Sequence, residues 1–510
     1  MIKKIVSVII MFFFFMLSMN QCTADKKILE SQELNDNCTL DVNYIYNITK
    51  ALSDVIFTEY DEENGELAKG RFFGTKGEWR AAEIIFNNMT EIGLYTTIEQ
   101  IKNTPLHPKL THLIQVLNYG LKVNNKTIKT SEFHIAPSNI GPRNNPNLLD
   151  YNFSYKGLKI IPMPKLLLPW ALKYKLSNEK DDFVFITNEV QFLPNVQRSF
   201  AKTLWFKYLN PFRWIGVNHP FDQKKIQKAL LYNFLPQWKG IIYYDLNNDT
   251  YNMGPIERSP FYITINGTLG KKILKNIDNT TIDFFINQTY NDSIISYNVI
   301  GQLNGTDPSK IVIVDCLYDS WWCQGTADAA IGMAMVLGVA KYFKDNNLTP
   351  KYNMKFIGFG GEEAGLRGAF YYEYAHRDEK IKYVIDLNQI GFRQKEPRLA
   401  LEIIFNKLSF GTKIWKIAKQ TDYVNKVGNT ADIKPVWILM GAPSDDKVFA
   451  LNRLITCKTV CFIKGYFWVL HHRDGQDHLK GDVLEYFDWD DVNATGDIVL
   501  NVTKYFTVKN

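Results

Sequence analysis

The feature that most restricts the fold is an alternation of strand-like and helix-like segments that begins near residue 294. Short apolar runs alternate with longer runs that have helical periodicity. In chain order the segments read "KIVIVDCLYD", "DAAIGMAMVLGVAKYFKDN", "YNMKFIGFGG", "AGLRGAFYYEYAHR" and "IKYVIDLNQIG". Such alternation favours right-handed crossovers and a mostly parallel sheet covered by helices on both faces. We therefore predict an α/β fold for residues 294–510, with a mostly parallel mixed sheet between helices.

Polar residues follow three of these strands at the end where parallel sheets carry their functional groups. They are Asp319, the adjacent pair Glu362 and Glu363 in "FGGEEAGLRG", and Asn388. Two neighbouring carboxylates are unfavourable unless something positive stabilises them. Local sequence leaves two explanations open, a bound cation and two solvated carboxylates at a helix N-terminus.

The rest of the chain divides into further parts, because 510 residues exceed one ordinary core. Residues 40–103 are predicted to form the N-terminal part of the catalytic-type domain. Residues 40–100 look helical, and the run "GEWRAAEIIFNNMTEIGL" places Trp79, Ala82, Ile85, Phe86 and Met89 on one helix face. Residues 104–293 are rich in Pro, Tyr, Trp and Asn, with strand-like runs such as "DDFVFIT" and "WKGIIYYDL". We predict that they form an inserted, mostly β domain.

The N-terminus predicts export from the cytoplasm. Two lysines precede about fifteen apolar residues, which is typical of a signal peptide over residues 1–24, with an uncleaved anchor as the alternative. Lipidation of Cys22 is less favoured, because Asn20 and Gln21 are poor residues for that cleavage. Asn-x-Ser/Thr sequons are frequent, as at Asn37, Asn47, Asn88, Asn125, Asn152, Asn266, Asn304, Asn347, Asn493 and Asn501. We expect an extracytoplasmic glycoprotein, secreted or attached to the membrane surface through its N-terminus.

Composition adds two constraints. The formal charge of +6 is small and its lysines and arginines are scattered, which argues against a nucleic-acid partner. Six cysteines fit an oxidising compartment. Cys316 with Cys323, and Cys457 with Cys461, are close enough in sequence to pair, although sequence does not fix connectivity.

The order and spacing of these motifs resemble the zinc exopeptidases with co-catalytic metals, broadly the leucyl-type aminopeptidases. That family also contains glutaminyl cyclases, transferrin receptor and nicastrin. The resemblance covers about 294–505 and extends to "RFFGTKGEWRAAEIIFNNMTEIGL" at 71–94. The insertion stands where some members carry a protease-associated domain, so the resemblance implies a zinc exopeptidase fold with a domain of that kind inserted.

The resemblance also implies site residues. Family members hold two zinc ions with His, Asp, Glu, Asp and His in chain order, and a Glu beside the ligand Glu is the general base. Asp328 in "GTADAAIG" matches the bridging Asp, Glu363 matches the ligand Glu, and Glu362 matches the base. The last His matches His472 in "LHHRDGQDHL", with His471 as second choice.

Two of the five metal positions depart from the family. Leu317 stands at the first His and Asn388 at the second Asp, while Asp319 keeps the Asp that supports the ligands from behind. Leucine cannot bind zinc, and a neutral amide is a poor substitute for a carboxylate. Asp315 shares a strand face with Leu317 but lies roughly 6–7 Å away along the strand. Asp386 is likewise two residues from Asn388, so we expect neither aspartate to replace the lost ligand.

Both lost positions serve the same metal in the family, whereas the set for the other metal is complete as Asp328, Glu363 and His472. The resemblance therefore implies one zinc ion rather than two, with an open position for water, and Glu362 as the base. We expect a zinc metallopeptidase, aminopeptidase-like, that acts on peptides or protein N-termini. The alternatives are an inactive peptidase-fold ectodomain for binding and a glutaminyl cyclase-like acyltransferase, since "CLYDS" resembles that branch.

The stretch "SDDKVFAL" lies where the family has a pocket loop. Its Ser444, Asp445 and Asp446 are equally consistent with a solvated helix start. Both interpretations stay open from sequence.

Overall fold

The computed structural model describes residues 39–55, 70–129, 132–134, 138–139, 153–163, 170, 173–174, 176–177, 181–188, 237–244, 262–320, 323–391, 400–428, 432–442, 444–465 and 482–508. The fold below is that of the unit Leu40–Asn510. The predicted signal peptide or anchor, and both His471 and His472, lie outside the described residues.

Four helices of the described residues begin at a side-chain cap. The side chains of Asp41, Thr75, Asn266 and Asp488 each accept a hydrogen bond from a backbone N–H of the first turn that follows. A π-helical turn, Thr326–Ala330, leads directly into the fourth helix. The helices are α1 (Val42–Ser53), α2 (Lys76–Glu91), α3 (Gly267–Lys275), α4 (Ile331–Asp345), α5 (Arg367–Ala375), α6 (Leu408–Gln420), α7 (Tyr423–Val427), α8 (Asp446–Asn452) and α9 (Trp489–Thr507).

The strands form two separate sheets. In chain order they are β1 (Tyr95–Gln100), β2 (Leu113–Val123), β3 (Lys126–Thr127), β4 (Phe133–His134), β5 (Ser138–Asn139), β6 (Phe153–Pro162), β7 (Phe183–Thr187), β8 (Trp238–Tyr244), β9 (Tyr262–Ile265), β10 (Thr281–Asn291), β11 (Tyr297–Leu303), β12 (Asp307–Leu317), β13 (Tyr352–Phe359), β14 (Ile381–Leu387), β15 (Ala400–Phe405), β16 (Asp432–Trp437) and β17 (Lys458–Gly465).

The first sheet has eight strands in the order β1-β11-β13-β12-β14-β17-β15-β16. Its centre, from β13 to β17, is parallel, and β15 pairs parallel with β16. The pairs β1–β11, β11–β13 and β15–β17 are antiparallel. Helices cover both faces of this mostly parallel mixed sheet, so the predicted α/β fold is confirmed.

Helix α4 packs on one face of the central strands and is buried along almost its whole length. A Cβ on Gly332 would lie 2.7 Å from the sulfur of Cys316, so this helix needs glycine to approach the sheet. Together with the π turn, the span Thr326–Asp345 is long and apolar enough to cross a membrane by composition, but 89% of it is buried inside the protein. It is the core helix of the sheet.

Helix α2 follows the predicted run, with one difference in its buried face. Ala82, Ile85 and Met89 are buried as expected, whereas Trp79 is 41% exposed. Its ring lies against Tyr297 at the rim of the first sheet, with 4.8 Å between the ring centroids. The helical prediction for residues 40–100 is wrong at β1, because this segment pairs with β11 along its whole length.

The second sheet contains the nine strands from β2 to β10 and lies within the predicted insertion. Its strands β6, β7, β8 and β9 run parallel, and β10 joins them to β2 by antiparallel pairing. It has a hydrophobic core of its own, which includes Leu158, Val184, Ile242 and Ile263. The strand-rich character of this region is as expected, and its kinship with a protease-associated domain stays a prediction.

Neither of the local cysteine pairs forms a disulfide. Cys316, Cys323, Cys457 and Cys461 are all buried free thiols in the part of the chain that the structure describes.

Candidate metal centre

The topology brings together the ends of three strands that carry the predicted site residues. Strand β12 lies between β13 and β14, and all three run parallel. Asp319 therefore follows the middle strand, with the Glu362–Glu363 pair on one side and Asn388 on the other. These polar residues therefore follow neighbouring parallel strands at one edge of the sheet.

Asp319 holds the glutamate pair through the backbone. Its two carboxylate oxygens accept the N–H groups of Glu362 at 3.0 Å and Glu363 at 3.2 Å. Burial, and then the charge of Glu363, raise the pKa of Asp319, while these two N–H groups act in the opposite direction. The turn itself needs glycine, because Gly361 has φ +68° and a Cβ there would lie 2.5 Å from the ring of Phe73.

Asp328 lies on the π-helical turn and is 3% exposed. Asp482 accepts the backbone N–H of Asp328 at 3.2 Å and that of Ala327 at 2.6 Å, which fixes this turn. The amide of Gln389 donates to Oδ2 of Asp328 at 2.8 Å. One carboxylate oxygen of Asp328 is thus oriented by a neutral donor from the segment after β14.

A fully buried arginine fixes the loop between β12 and the π turn. Arg71 donates through Nε to the carbonyl of Tyr318 at 2.8 Å and through Nη2 to that of Gly325 at 2.9 Å. Nη1 donates to the carbonyls of Leu52 and Gln324. Burial lowers the pKa of Arg71, and the charges of nearby acids, including Asp482, Asp319 and Asp328, oppose that change. The edge of the sheet therefore contains a permanent positive charge.

We call Asp319, Asp328, Glu362 and Glu363 the outer site. Glu363 and Asp328 both lie near the Cys323 thiol. Burial, then the charge of Asp482, and then the charges of Glu363 and Asp328 raise the pKa of this thiol. Asp328, whose Oδ2 accepts the amide of Gln389, and Glu363, whose backbone N–H is held by Asp319, offer two carboxylates that suit a divalent cation. The third predicted ligand, His472, and its alternative His471 lie outside the described residues, so their roles stay predictions.

The two departures from the family pattern are also at this edge. Leu317 is fully buried and apolar. Both ends of the Asn388 amide are used within the protein, since Nδ2 donates to Ser444 Oγ at 2.9 Å and Oδ1 accepts the N–H of Gln389 at 2.6 Å. The residues present therefore fit one metal position, and the second position is filled by a side chain that cannot bind metal and by an amide already engaged.

The stretch from Ser444 to Asp446 is fully buried, which excludes a solvated helix start. Burial, and then the charge of Glu362, raise the pKa of Asp445, so this carboxyl group lies near the predicted base. Neither of its oxygens has a hydrogen-bond partner among the described residues. The pocket-loop interpretation is the one that this geometry favours.

Sequence reasoning missed three residues that build the outer site. Arg71, Gln389 and Asp482 are polar residues next to apolar runs, in "GRFFG", "LNQIG" and "GDVLEY". A charged or amide residue in such a context is a usable signal of a buried polar contact, because burial without a partner is costly. Their partners are far away in sequence, so the contacts themselves are not visible there.

Comparison with known proteins agrees with this geometry. The sequence model of peptidase family M28 matches residues 298–503. No curated protein sequence matches the chain.

Solved structures share the fold. The chain is similar to BSAP, a zinc aminopeptidase from Bacillus subtilis, with a TM-score of 0.60 and 16% identity over 94% of this chain and 97% of that chain. A peptidase M28 precursor from Shewanella amazonensis SB2B gives 0.57 and 14% over 90% and 92%. An aminopeptidase from Aneurinibacillus sp. strain AM-1 gives 0.50 and 15% over 92% and 94%. At these identities the similarity establishes the fold, and the predicted resemblance to zinc exopeptidases is confirmed.

Proposed function

Since residues 298–503 belong to peptidase family M28, we propose that the protein is a zinc aminopeptidase that hydrolyses N-terminal peptide bonds with one zinc ion in its outer site. The zinc aminopeptidase from Bacillus subtilis, which shares the fold, supports this choice of metal and reaction. The observation that carries the proposal is the hydrogen bonding of Asp319 to both Glu362 and Glu363, because it fixes a base and a ligand side by side.

Asp328, Glu363 and His472 are the residues that would hold the ion. A zinc ion bound there supplies Lewis acidity to a carbonyl oxygen and to water. Leu317 and Asn388 offer no ligand for a second ion, which supports one zinc position at this edge.

Glu362 is the proposed general base. It accepts a proton from the attacking water and returns it to the leaving amine, so the residue ends the cycle unchanged. Burial, and then the charge of Glu362, raise the pKa of Asp445, a second carboxyl group that lies near the base. Peptides and protein N-termini are the proposed substrates.

The test is the pair Glu362→Gln and Glu363→Gln, with the exposed Glu91→Gln as control. Loss of the base should lower kcat by about 10²–10⁴-fold on a leucine p-nitroanilide substrate, with zinc content unchanged. Loss of the ligand in Glu363→Gln should also remove the zinc ion of the outer site. The Glu91→Gln control should match the unaltered protein in both measurements.

The competing functions predict different results. A binding ectodomain without chemistry would show no turnover for Glu362→Gln to reduce. A glutaminyl cyclase-like enzyme would turn over Gln-terminated substrates in preference to Leu-terminated ones. Either result would overturn the aminopeptidase proposal.

We further propose an extracytoplasmic glycoprotein, secreted or attached to the membrane through its N-terminus. Support comes from the apolar run near the N-terminus and from sequons at Asn125, Asn304 and Asn347, which are exposed. Expression in a glycosylating host should give a protein whose mobility increases after enzymatic deglycosylation. An unchanged mobility, together with an intact Met1 in the mature protein found in the cytoplasm, would contradict this location.

A further inference from the structure

A second group of acidic side chains lies beneath the outer site, in one row across the sheet. Asp315 on β12 is the register partner of Asp386 on β14, and Asp386 is the register partner of Cys461 on β17. Register partners on parallel strands point to the same face. Asp446, at the start of α8, meets them there, and the potential ligand atoms of Asp386, Asp446 and Cys461 all lie within 4.8 Å of one another. We call these four residues the inner cluster.

The inner cluster is completely buried, since all four side chains are 0% exposed. In the described part of the chain, none of its three aspartates forms an ion pair with a lysine, arginine or histidine. The sheet face around them is apolar, with Ile313, Ile357 and Val384 nearby in the same hydrophobic cluster. Three buried carboxyl groups around one thiol are strongly unfavourable in such surroundings unless a cation or protons neutralise them.

Unused hydrogen-bonding capacity is concentrated on the strand aspartates. Both oxygens of Asp315 and Oδ1 of Asp386 have no hydrogen-bond partner among the described residues. After burial, the charges of Asp386 and Asp446 raise the pKa of Asp315, so its carboxyl group lies near the other two. Asp446 differs, because it accepts from the N–H of Ala442 and from Thr459 Oγ1 at 2.9 Å. One member is thus held in place by the protein while two present free lone pairs.

We propose that the inner cluster binds a divalent transition-metal ion, with the carboxylates of Asp386 and Asp446 and the thiolate of Cys461 as ligands and the carboxyl group of Asp315 beside them. This inference goes beyond the proposed peptidase function and does not rest on it. Asp315 is too far from Leu317, and Asp386 too far from Asn388, to restore the outer position. Asp386 instead shares a site with Asp446 and Cys461, about 6–7 Å deeper along the same face.

The donor set indicates zinc or a similar ion rather than calcium or magnesium. Thiolate sulfur combined with carboxylate oxygen is a zinc-type set, whereas calcium and magnesium take oxygen ligands. Binding would release protons from the thiol and the carboxyl groups. Protein ligands without solvent access are the arrangement of a structural site. The ion would join β14, β17 and α8 beneath the outer site.

The test detects the thiolate of Cys461 as a metal ligand. Metal-free protein is reconstituted with Co²⁺, and the absorption of thiolate-to-cobalt charge transfer is recorded together with the cobalt-to-protein ratio. The outer site has no predicted sulfur ligand, so this absorption reports the inner cluster. It should be present in the unaltered protein and in Cys457→Ser, a buried thiol four residues away that is not in the cluster. It should be absent in Cys461→Ser, with one cobalt ion fewer per chain.

A second variant covers the case in which Cys461→Ser does not fold. Asp386→Asn keeps the side-chain size and should also lose one cobalt ion, and its Tm should lose the dependence on chelator that the unaltered protein shows. If both variants keep the full cobalt content and absorption, the proposal is wrong. It is equally wrong if no such absorption appears and Asp386→Asn raises the Tm in chelator, because the cluster then holds only protons.

The two proposals fail separately. Glu363→Gln should abolish hydrolysis while the charge-transfer absorption remains, because it acts on the outer site only. Hydrolysis without the absorption would leave the peptidase proposal standing and remove the inner metal.

Discussion

The outer site and the inner cluster share strands β12 and β14 but differ in what holds their carboxyl groups. In the outer site, Asp319 accepts two backbone N–H groups, Asp328 accepts an amide, and a buried arginine lies close by. In the inner cluster, the oxygens of Asp315 have no donor among the described residues. Asp319 and Asp328 are therefore positioned by the protein itself, whereas Asp315 depends on a cation or on a proton.

The largest effect on this comparison is expected from Arg71→Met. The change removes the donors to four carbonyl groups and the positive charge near Asp319 and Asp328. We expect the free energy of unfolding to fall by about 3–5 kcal/mol, measured by urea denaturation.

The control for Arg71→Met is Arg80→Met, which breaks an exposed ion pair with Glu83 and should cost less than about 1 kcal/mol. Equal unfolding midpoints for the two variants would show that the outer site does not depend on the buried guanidinium.

Asp319→Asn should have the next largest effect. An amide has one acceptor oxygen and cannot serve both N–H groups, so the glutamate pair loses one charge-assisted hydrogen bond. We expect a loss of about 1.5–3 kcal/mol in stability and a fall in kcat/KM of about 10–100-fold. The exposed Asp278→Asn serves as control in the same urea and kinetic assays. Unchanged kcat/KM would contradict the positioning role of Asp319.

Gln389→Ala tests the amide that orients Asp328. The variant loses the donor to Oδ2, and such supporting contacts are worth about 10–100-fold in metal affinity. Zinc affinity is measured by competition with a chromophoric chelator, with the exposed Gln420→Ala as control. The charge-transfer absorption of the inner cluster should not change, and a loss there instead of at the outer site would reverse the distinction between the two groups.

The smallest effect comes from a titrating network outside both groups. Burial acts to lower the pKa of His376, but hydrogen bonds to Glu379 and Glu99, each at 3.0 Å, outweigh it and raise the pKa to about 9. Since the folded pKa exceeds the ordinary value of 6.5, this contribution is fully present below pH 6.5 and is lost as the pH rises through 9. With solvent exposure of the ring taken into account, we expect a loss of about 1–2 kcal/mol.

Denaturant midpoints between pH 6 and pH 10 measure this slope, and His376→Gln should flatten it. Because the network lies apart from the metal ligands, the slope should persist in chelator. A slope that vanishes with the metal would assign it to the sites instead.

The sequence predicts the first sheet well because its strands are short, apolar and separated by long helices. Strand β12 and helix α4 lie where their periodicity places them, and the strand ends carry the expected polar residues. The prediction that Trp79 belongs to the buried face is wrong, because the helical pattern does not specify how much of the helix surface the sheet covers. Its exposed position depends on the rim of β11, which only the tertiary structure defines.

The inner cluster is not visible in the sequence for a specific physical reason. Asp315 and Asp386 each lie two residues from a lost ligand position, so neither is recognisable as a ligand from the sequence of its own strand. Their relation to each other depends on the register between β12 and β14, a non-local property that no local pattern contains. The same holds for Arg71, whose partner Tyr318 is 247 residues away in the chain.

The register row across β12, β14 and β17 fixes the positions along the strands at which side chains of one face can lie. Side chains return to the same face only at every second residue, so a ligand pair can move along these strands in steps of about 6–7 Å and no less. A one-residue move on β12 would place the group beside Cys316, facing helix α4. To move the metal along the sheet, the ligands on neighbouring strands must therefore be shifted by the same even number of residues.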